Sequence, residues 1–395
     1  MTSGARPVTA WLSFSILLAA ACASSDNPGG SATTNTGSPE PGSSGSTAAS
    51  GSSNSGSGSS SGDVASSGGA SGSSIPTSSG ASTGTSTGTG NSGQGAASGM
   101  PEAGGAASGS PTGTGDAGTF TGTCTASKVV SGTTATGTGP HKVVVETNSD
   151  PGITQGTIFR PMDLGGTEKY PIFVWGEGGC QENGLVQADV MGEIASHGYF
   201  IIADGTPNGT SSRTLGSDPV AMGKPLLAYI TWAIAENDKP CSAYYHSLDT
   251  TKVATNGFSC GGLMAEGTAG DPRITTWALN SSGLFSADQA LYMSVHTPVL
   301  IVLGGSNDIA YKNGENDYTA ISALGKPIML FSKNGSNHGG DLSNGTGDFS
   351  KIDLAWLNWW LKGDLTATGK GVLVGSTCTY CTDTTGWEVK SMNIP

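Results

Sequence analysis

Apolar residues gather in short uninterrupted runs in the later two-thirds of the chain and are sparse in the first third. Pro171-Ile-Phe-Val-Trp175, Tyr199-Phe-Ile-Ile-Ala203 and Pro298-Val-Leu-Ile-Val-Leu303 show no polar alternation. Such runs predict strands buried on both faces. Thr251–Thr255, Ile274–Leu279 and Pro327–Phe331 read as further short strands. Val186–Ser196 is helix-like, and Asp218–Glu236 carries Leu226, Leu227, Ile230 and Ile234 on one helical face. Ile352–Leu361 reads as a Trp-rich terminal helix. Strands alternating with helices predict an α/β domain with a mostly parallel central sheet and helices on both faces. Ligands of such sheets bind beyond the carboxyl ends of the strands.

The first third has a different character. An apolar run from Val8 to Ala21 follows Arg6 and is too short for an ordinary membrane span, so it suits a signal peptide over residues 1–21. From there to about Gly118 the chain is nearly all Ser, Gly, Thr, Ala and Pro. It has too few large apolar residues to offset the entropy of ordering, and reads as a disordered tether over 22–118. A Gly/Ser coil of that length reaches roughly 50–60 Å. Residues 119–395 are enough for one α/β domain with a buried core. The sequence carries a formal net charge of −13, of which about −9 falls on this domain. An acidic surface argues against nucleic acid as a partner.

Leu18-Ala-Ala-Ala-Cys22 resembles the lipobox of bacterial lipoproteins. That resemblance implies a lipidated Cys22 as mature N-terminus, membrane contact through that anchor, and, with Ala23 following, the outer membrane or cell surface. Six other cysteines remain: Cys124, Cys180, Cys241, Cys260, Cys378 and Cys381. An even number in an exported chain predicts disulfides. Cys378-Thr-Tyr-Cys381 has no partner motif that would complete a zinc site. No metal or organic cofactor is implied.

Gly257-Phe-Ser259-Cys-Gly261 follows a β-branched run and precedes the helix-capable Leu263-Met-Ala-Glu266. A serine at a sharp strand-to-helix turn is a nucleophile elbow, and the flanking glycines remove side chains that would collide across it. Three other G-x-S-x-G matches, at Gly58–Gly62, Gly80–Gly84 and Gly84–Gly88, lack a strand before and a helix after.

A serine hydroxyl needs a base, and the base an orienting acid. In the order Ser, acid, His, only His296 and His338 follow Ser259. His338 lies in a glycine-rich loop after a strand, whereas His296 precedes one and sits at the wrong end of the sheet. His338 is the candidate base. Asp308 directly follows the Pro298–Leu303 strand and is the candidate acid. Asp317, further along the same loop, is the rival acid; its other reading is a helix cap or an orienting group. Oxyanion donors are sought in the N–H of Cys260 and in the glycine-rich loop after the Pro171–Trp175 strand, where Gly178, Gly179 and Cys180 are candidates. Two such N–H groups aimed at one oxygen bring their α-carbons within disulfide range. A Cys180–Cys260 disulfide is therefore expected, with Cys124, Cys241, Cys378 and Cys381 pairing among themselves.

With these segments, and with Ala195-Ser-His-Gly-Tyr-Phe200, Gly304-Gly-Ser-Asn-Asp308 and Asn337-His-Gly339, residues 140–365 resemble secreted α/β-hydrolases of the lipase/cutinase-like group. The nearest branches are the chlorophyllase-like and polyester-hydrolase-like ones. The resemblance implies an α/β-hydrolase fold, with Ser259 as nucleophile, Asp308 as acid and His338 as base in carboxylic-ester cleavage through an acyl-enzyme. Polyester hydrolases carry His-Gly in the oxyanion loop and Met after the serine. Trp175-Gly176 and Cys260 stand there instead, so substrate range does not carry over.

The stretch between Ile274–Leu279 and Pro298 is too short for a large lid, which favours bulky, even polymeric, extracellular esters. Trp175, Trp232, Trp277, Trp356, Trp359 and Trp360 lie mostly among apolar neighbours and are expected in the core rather than stacked on sugars. The alternative is a non-catalytic surface-binding protein that keeps the fold. Intact Ser, Asp and His in hydrolase order argue against it.

Overall fold

The computed structural model describes residues 127–150 and 153–395. The signal peptide, Cys22, the tether and Cys124 lie outside the described residues. Ten strands form one sheet: β1 (Lys128–Val129), β2 (Val143–Thr147), β3 (Gly156–Pro161), β4 (Tyr170–Gly176), β5 (Phe200–Asp204), β6 (Leu248–Gly257), β7 (Thr276–Asn280), β8 (Val299–Leu303), β9 (Ile328–Lys333) and β10 (Trp387–Met392). Their order is β1-β2-β3-β5-β4-β6-β7-β8-β9-β10. From β5 through β9 every pairing is parallel; β1 to β3 at one edge and β10 at the other are antiparallel.

Among the described residues seven α-helices fill the connections: α1 (Ala188–Ser196), α2 (Pro219–Asp238), α3 (Cys260–Glu266), α4 (Gln289–Ser294), α5 (Tyr311–Ala323), α6 (Asp348–Lys362) and α7 (Lys370–Leu373). Successive residues of a strand face opposite sides, so β4 contributes to two different layers. Ile172 and Val174 pack with Leu226 and Ile230 of α2 and Leu263 of α3. Phe173 and Trp175 pack with Val190 of α1 and Ile352 and Trp356 of α6. The sheet thus carries a separate apolar core on each face, the condition that makes its central strands apolar throughout. Trp175, Trp232, Trp277, Trp356 and Trp359 are all buried. Asp218 starts α2 by accepting from the N–H groups of Val220 at 3.0 Å and Ala221 at 3.2 Å, two donors a helix start otherwise leaves unpaired.

The segment from Ser281 to Pro298 holds only the six-residue α4. Among the described residues no lid helix lies over the carboxyl ends of β4, β6, β8 and β9, where the candidate residues emerge.

Candidate active site

Strand β6 ends at Gly257, and α3 starts three residues later. Ser259 between them has φ 53° and ψ −117°, a conformation costly for any residue with a side chain. Surrounding bonds fix it. The Ser259 N–H donates to Asn280 O at 2.9 Å, and its carbonyl accepts from Ser282 Oγ at 2.6 Å and from Gly262 N at 2.9 Å. The glycines are there for clearance. A Cβ on Gly261 would stand 1.9 Å from Gly176 O, and one on Gly257 would stand 2.2 Å from Gly261 O. The end of β4 and the start of α3 therefore meet backbone to backbone.

Beneath the turn lies a buried polar network. Asn256 Oδ1 accepts from Gly257 N at 2.7 Å, and Asn280 Nδ2 donates to Asp353 Oδ2 of α6 at 2.8 Å. Burial pushes the Asp353 carboxyl up to about 7 against the opposing hydrogen bonds from Asn280 and Asn256. A second buried carboxyl, Asp317 of α5, is also raised to about 7 by burial, although Tyr292 Oη and the Leu284 N–H donate to it. Glu266, fully buried at the end of α3 beside Asp317, is driven up by burial and then by the charges of Asp317 and Asp288. Each raised carboxyl holds its proton more tightly folded than unfolded. For Asp317 and Asp353 the stability this contributes is complete below the unfolded pKa of 3.8 and is lost as pH rises through about 7. The urea midpoint should therefore be higher at pH 4.5 than at pH 8. Asp353→Asn should flatten that dependence, raising stability at pH 8 by on the order of 3–4 kcal/mol. An unchanged slope in the variant would show that Asp353 ionises freely in the fold.

Asp308 and His338 meet across the loops after β8 and β9. His338 Nδ1 lies 2.7 Å from Asp308 Oδ1. The carboxylate also accepts from Ala310 N at 2.9 Å through Oδ1 and from Gly304 N at 2.9 Å through Oδ2. Burial alone would raise the Asp308 carboxyl. The His338 hydrogen bond and charge, then the Ser281 hydroxyl and the Gly304 N–H, outweigh it and hold the group below its ordinary 3.8. An ionised acceptor requires the proton on His338 Nδ1. Nε2 then carries the lone pair, and that atom is buried with no hydrogen-bond partner among the described residues. The ring is held near the elbow in two ways. Its centroid is 4.9 Å from that of Phe258, the residue before Ser259, and Gly339 N donates to Ser281 Oγ at 2.9 Å. A Ser259–His338 hydrogen bond is not formed here; such bonds commonly close only once substrate is bound.

The loop after β4 makes one 3₁₀ turn, Gly178–Cys180, with Gly179 at φ 63° and Cys180 at φ 52°. Gly178 has Phe258 where its side chain would be, with Cδ1 2.4 Å from the Cβ position. Cys180 is disulfide-bonded to Cys260 with their α-carbons 5.1 Å apart. The bond ties the loop after β4 to the first residue of α3, whose N–H has no intrahelical acceptor. Cys378 pairs with Cys381, and Cys241 is disulfide-bonded as well. Replacing Cys180 and Cys260 together by Ala opens a loop of 80 residues and should lower stability by on the order of 4 kcal/mol. If the two loops supply the oxyanion donors expected from the sequence, it should also lower kcat for ester hydrolysis about tenfold with little change in KM. A variant with wild-type kcat would make the bond purely a stability element.

The PETase family model, described as PET hydrolase-like, matches residues 125–369, more than half of the chain. The chain belongs to this family. It is an α/β-hydrolase, and at the general level an ester hydrolase. No curated protein matches it. The PETase-family match spans Ser259, Asp308 and His338 and both cysteines of the elbow disulfide.

Other candidates fall elsewhere. His296 is exposed before β8, with its Nδ1 3.3 Å from Ser294 O and its charge acting on Asp271. Asp317 is spent on Tyr292 and Leu284 and makes no bond to His338. Sequence reasoning did not find Asn256, Asn280, Ser281, Ser282 or Asp353. A polar Asn-Ser-Ser-Gly stretch directly after β7 was the available signal for three of them.

Proposed function

We propose that this PETase-family chain is an extracellular serine hydrolase that cleaves carboxylic esters through a Ser259–His338–Asp308 triad. The carrying observation is the His338 ring. An ionised Asp308 fixes its Nδ1–H, its Nε2 is left unpartnered, and the ring lies against Phe258, the residue before a serine on a strained strand-to-helix turn. Nε2 takes the Ser259 proton as Oγ attacks the ester carbonyl. The negative oxygen of the tetrahedral intermediate is received by the N–H of Cys260 and by that of Gly179 or Cys180. His338 passes the proton to the departing alcohol as the carbon–oxygen bond breaks. Water, activated by the same nitrogen, then releases the acid from Ser259.

The uncovered site and the family favour polymeric esters among the substrates. Export is supported by the apolar run Val8–Ala21 and by disulfides at Cys180–Cys260 and Cys378–Cys381. Lipid anchoring rests on Leu18–Cys22. Purified protein should hydrolyse p-nitrophenyl acetate and butyrate and be labelled at Ser259 by a fluorophosphonate. Folded protein that does neither would point to a binding protein that keeps the fold.

A further inference from the structure

The residues on either side of Ser259 open onto different cavities. Phe258 lines one of about 470 Å³ together with His338, Asn307, Ile309 and Leu342. Cys260 lines another of about 400 Å³ together with Cys180, Met264, Met222, Ala221 and Arg213. Both are of a size that holds small organic ligands, roughly 300–1,000 Å³.

The chemistry distinguishes them. The alcohol oxygen must leave within reach of His338 Nε2, which protonates it, so the alcohol side of the ester extends into the cavity that His338 lines. The carbonyl oxygen points at the N–H of Cys260 and of the 179–180 loop. The remaining substituent on the carbonyl carbon is the acyl chain, and the open space on the side of the oxyanion loop is the cavity bounded by the disulfide.

Resting on the reading of Ser259 as nucleophile, we propose that this disulfide-walled cavity is the acyl pocket and that it takes a neutral, apolar acyl group. Its wall is apolar where α2 and α3 face it, at Met222, Pro225 and Met264. Its one cation offers little to an anion. Arg213 is held bidentate by Asp204, at 3.0 and 2.7 Å, and by Glu182 at 3.0 Å. Asp218 lines the same cavity while capping α2, so Arg213, its two carboxylate partners and Asp218 together carry net negative charge. An acyl chain ending in a free carboxylate meets net negative charge there, whereas an uncharged chain of similar length does not.

The test uses two ester series on the full domain: p-nitrophenyl esters from acetate to decanoate, and acetate esters of alcohols of rising length. Ala221 is exposed on α2, so Ala221→Trp fills the mouth of the cavity without disturbing the core. It should lower the decanoate-to-acetate ratio of kcat/KM at least tenfold and leave the alcohol-length ratios as in wild type. Ser343→Trp, on the other cavity, should do the reverse. Wild type should also prefer p-nitrophenyl butyrate to the anionic hemisuccinate at least tenfold, with the preference shrinking in high salt. If Ala221→Trp alters the alcohol series, or neither, while Ser259 still labels, the assignment of the cavities is wrong. If wild type cleaves no ester and does not label, the hydrolase reading itself falls, and this one with it.

Discussion

Ser259→Ala should lose about 10⁶-fold in kcat on p-nitrophenyl butyrate, the scale seen when a triad serine is removed. The turn should survive, since Ser259 is held through its backbone N–H and C=O to Asn280, Ser282 and Gly262 and not through its hydroxyl. Circular dichroism and the urea midpoint should therefore match wild type. His338→Ala should cost about as much, and the double variant little more than either single one, because nucleophile and base act as one unit. Multiplying losses would mean that the two residues serve separate steps. A Ser259→Ala variant with more than about a hundredth of wild-type kcat would remove Ser259 as nucleophile.

Asp308→Asn should lower kcat about 10⁴-fold with only a small effect on KM. The amide can present its NH₂ to His338 Nδ1, which then becomes the acceptor and moves the ring proton to Nε2. A protonated Nε2 cannot take the Ser259 proton. The loss should be partly relieved as pH rises, when solvent base substitutes for the imidazole. Asp317→Asn is the control. Asp317 is bonded to Tyr292 and Leu284, so the variant should keep activity within a few-fold and instead gain stability at pH 8. Equal losses in both variants would mean that Asp308 acts through the fold and not through the imidazole.

The extent to which this molecule is readable from its sequence depends on what each element touches. Strands β4, β5 and β8 are sandwiched between two cores, and burial on both faces leaves an unbroken apolar run. β10 pairs only with β9, and its Trp-Glu-Val-Lys-Ser-Met is half-exposed with a polar residue at alternate positions. β1 to β3 form the antiparallel flank of the sheet, where β2 and β3 are joined partly by the Arg160–Glu146 ion pair at 2.7 Å. Helix α5, Tyr-Lys-Asn-Gly-Glu-Asn-Asp-Tyr-Thr-Ala-Ile-Ser-Ala, buries little apolar surface and gives a weak helical signal.

The site divides in the same way. Ser259, Asp308 and His338 each stand at a fixed place after a recognisable strand, so order and spacing suffice to single them out. The Cys180–Cys260 bond could be expected because two N–H groups aimed at one oxygen, as the sequence predicts for these loops, bring their α-carbons within bridging range. Asp353 could not, since it lies 73 residues from Asn280 on a helix whose pattern reads only as core.

The buried Asp353 has one more implication. Every ester cleaved liberates a carboxylic acid, and where turnover outruns the buffer the local pH falls. A fold whose inner carboxyls prefer to stay protonated is strengthened by such a drift. The released proton is then itself a stabilising ligand of the fold, so heat inactivation should be slower in a weakly buffered, hydrolysing solution than in a strongly buffered one.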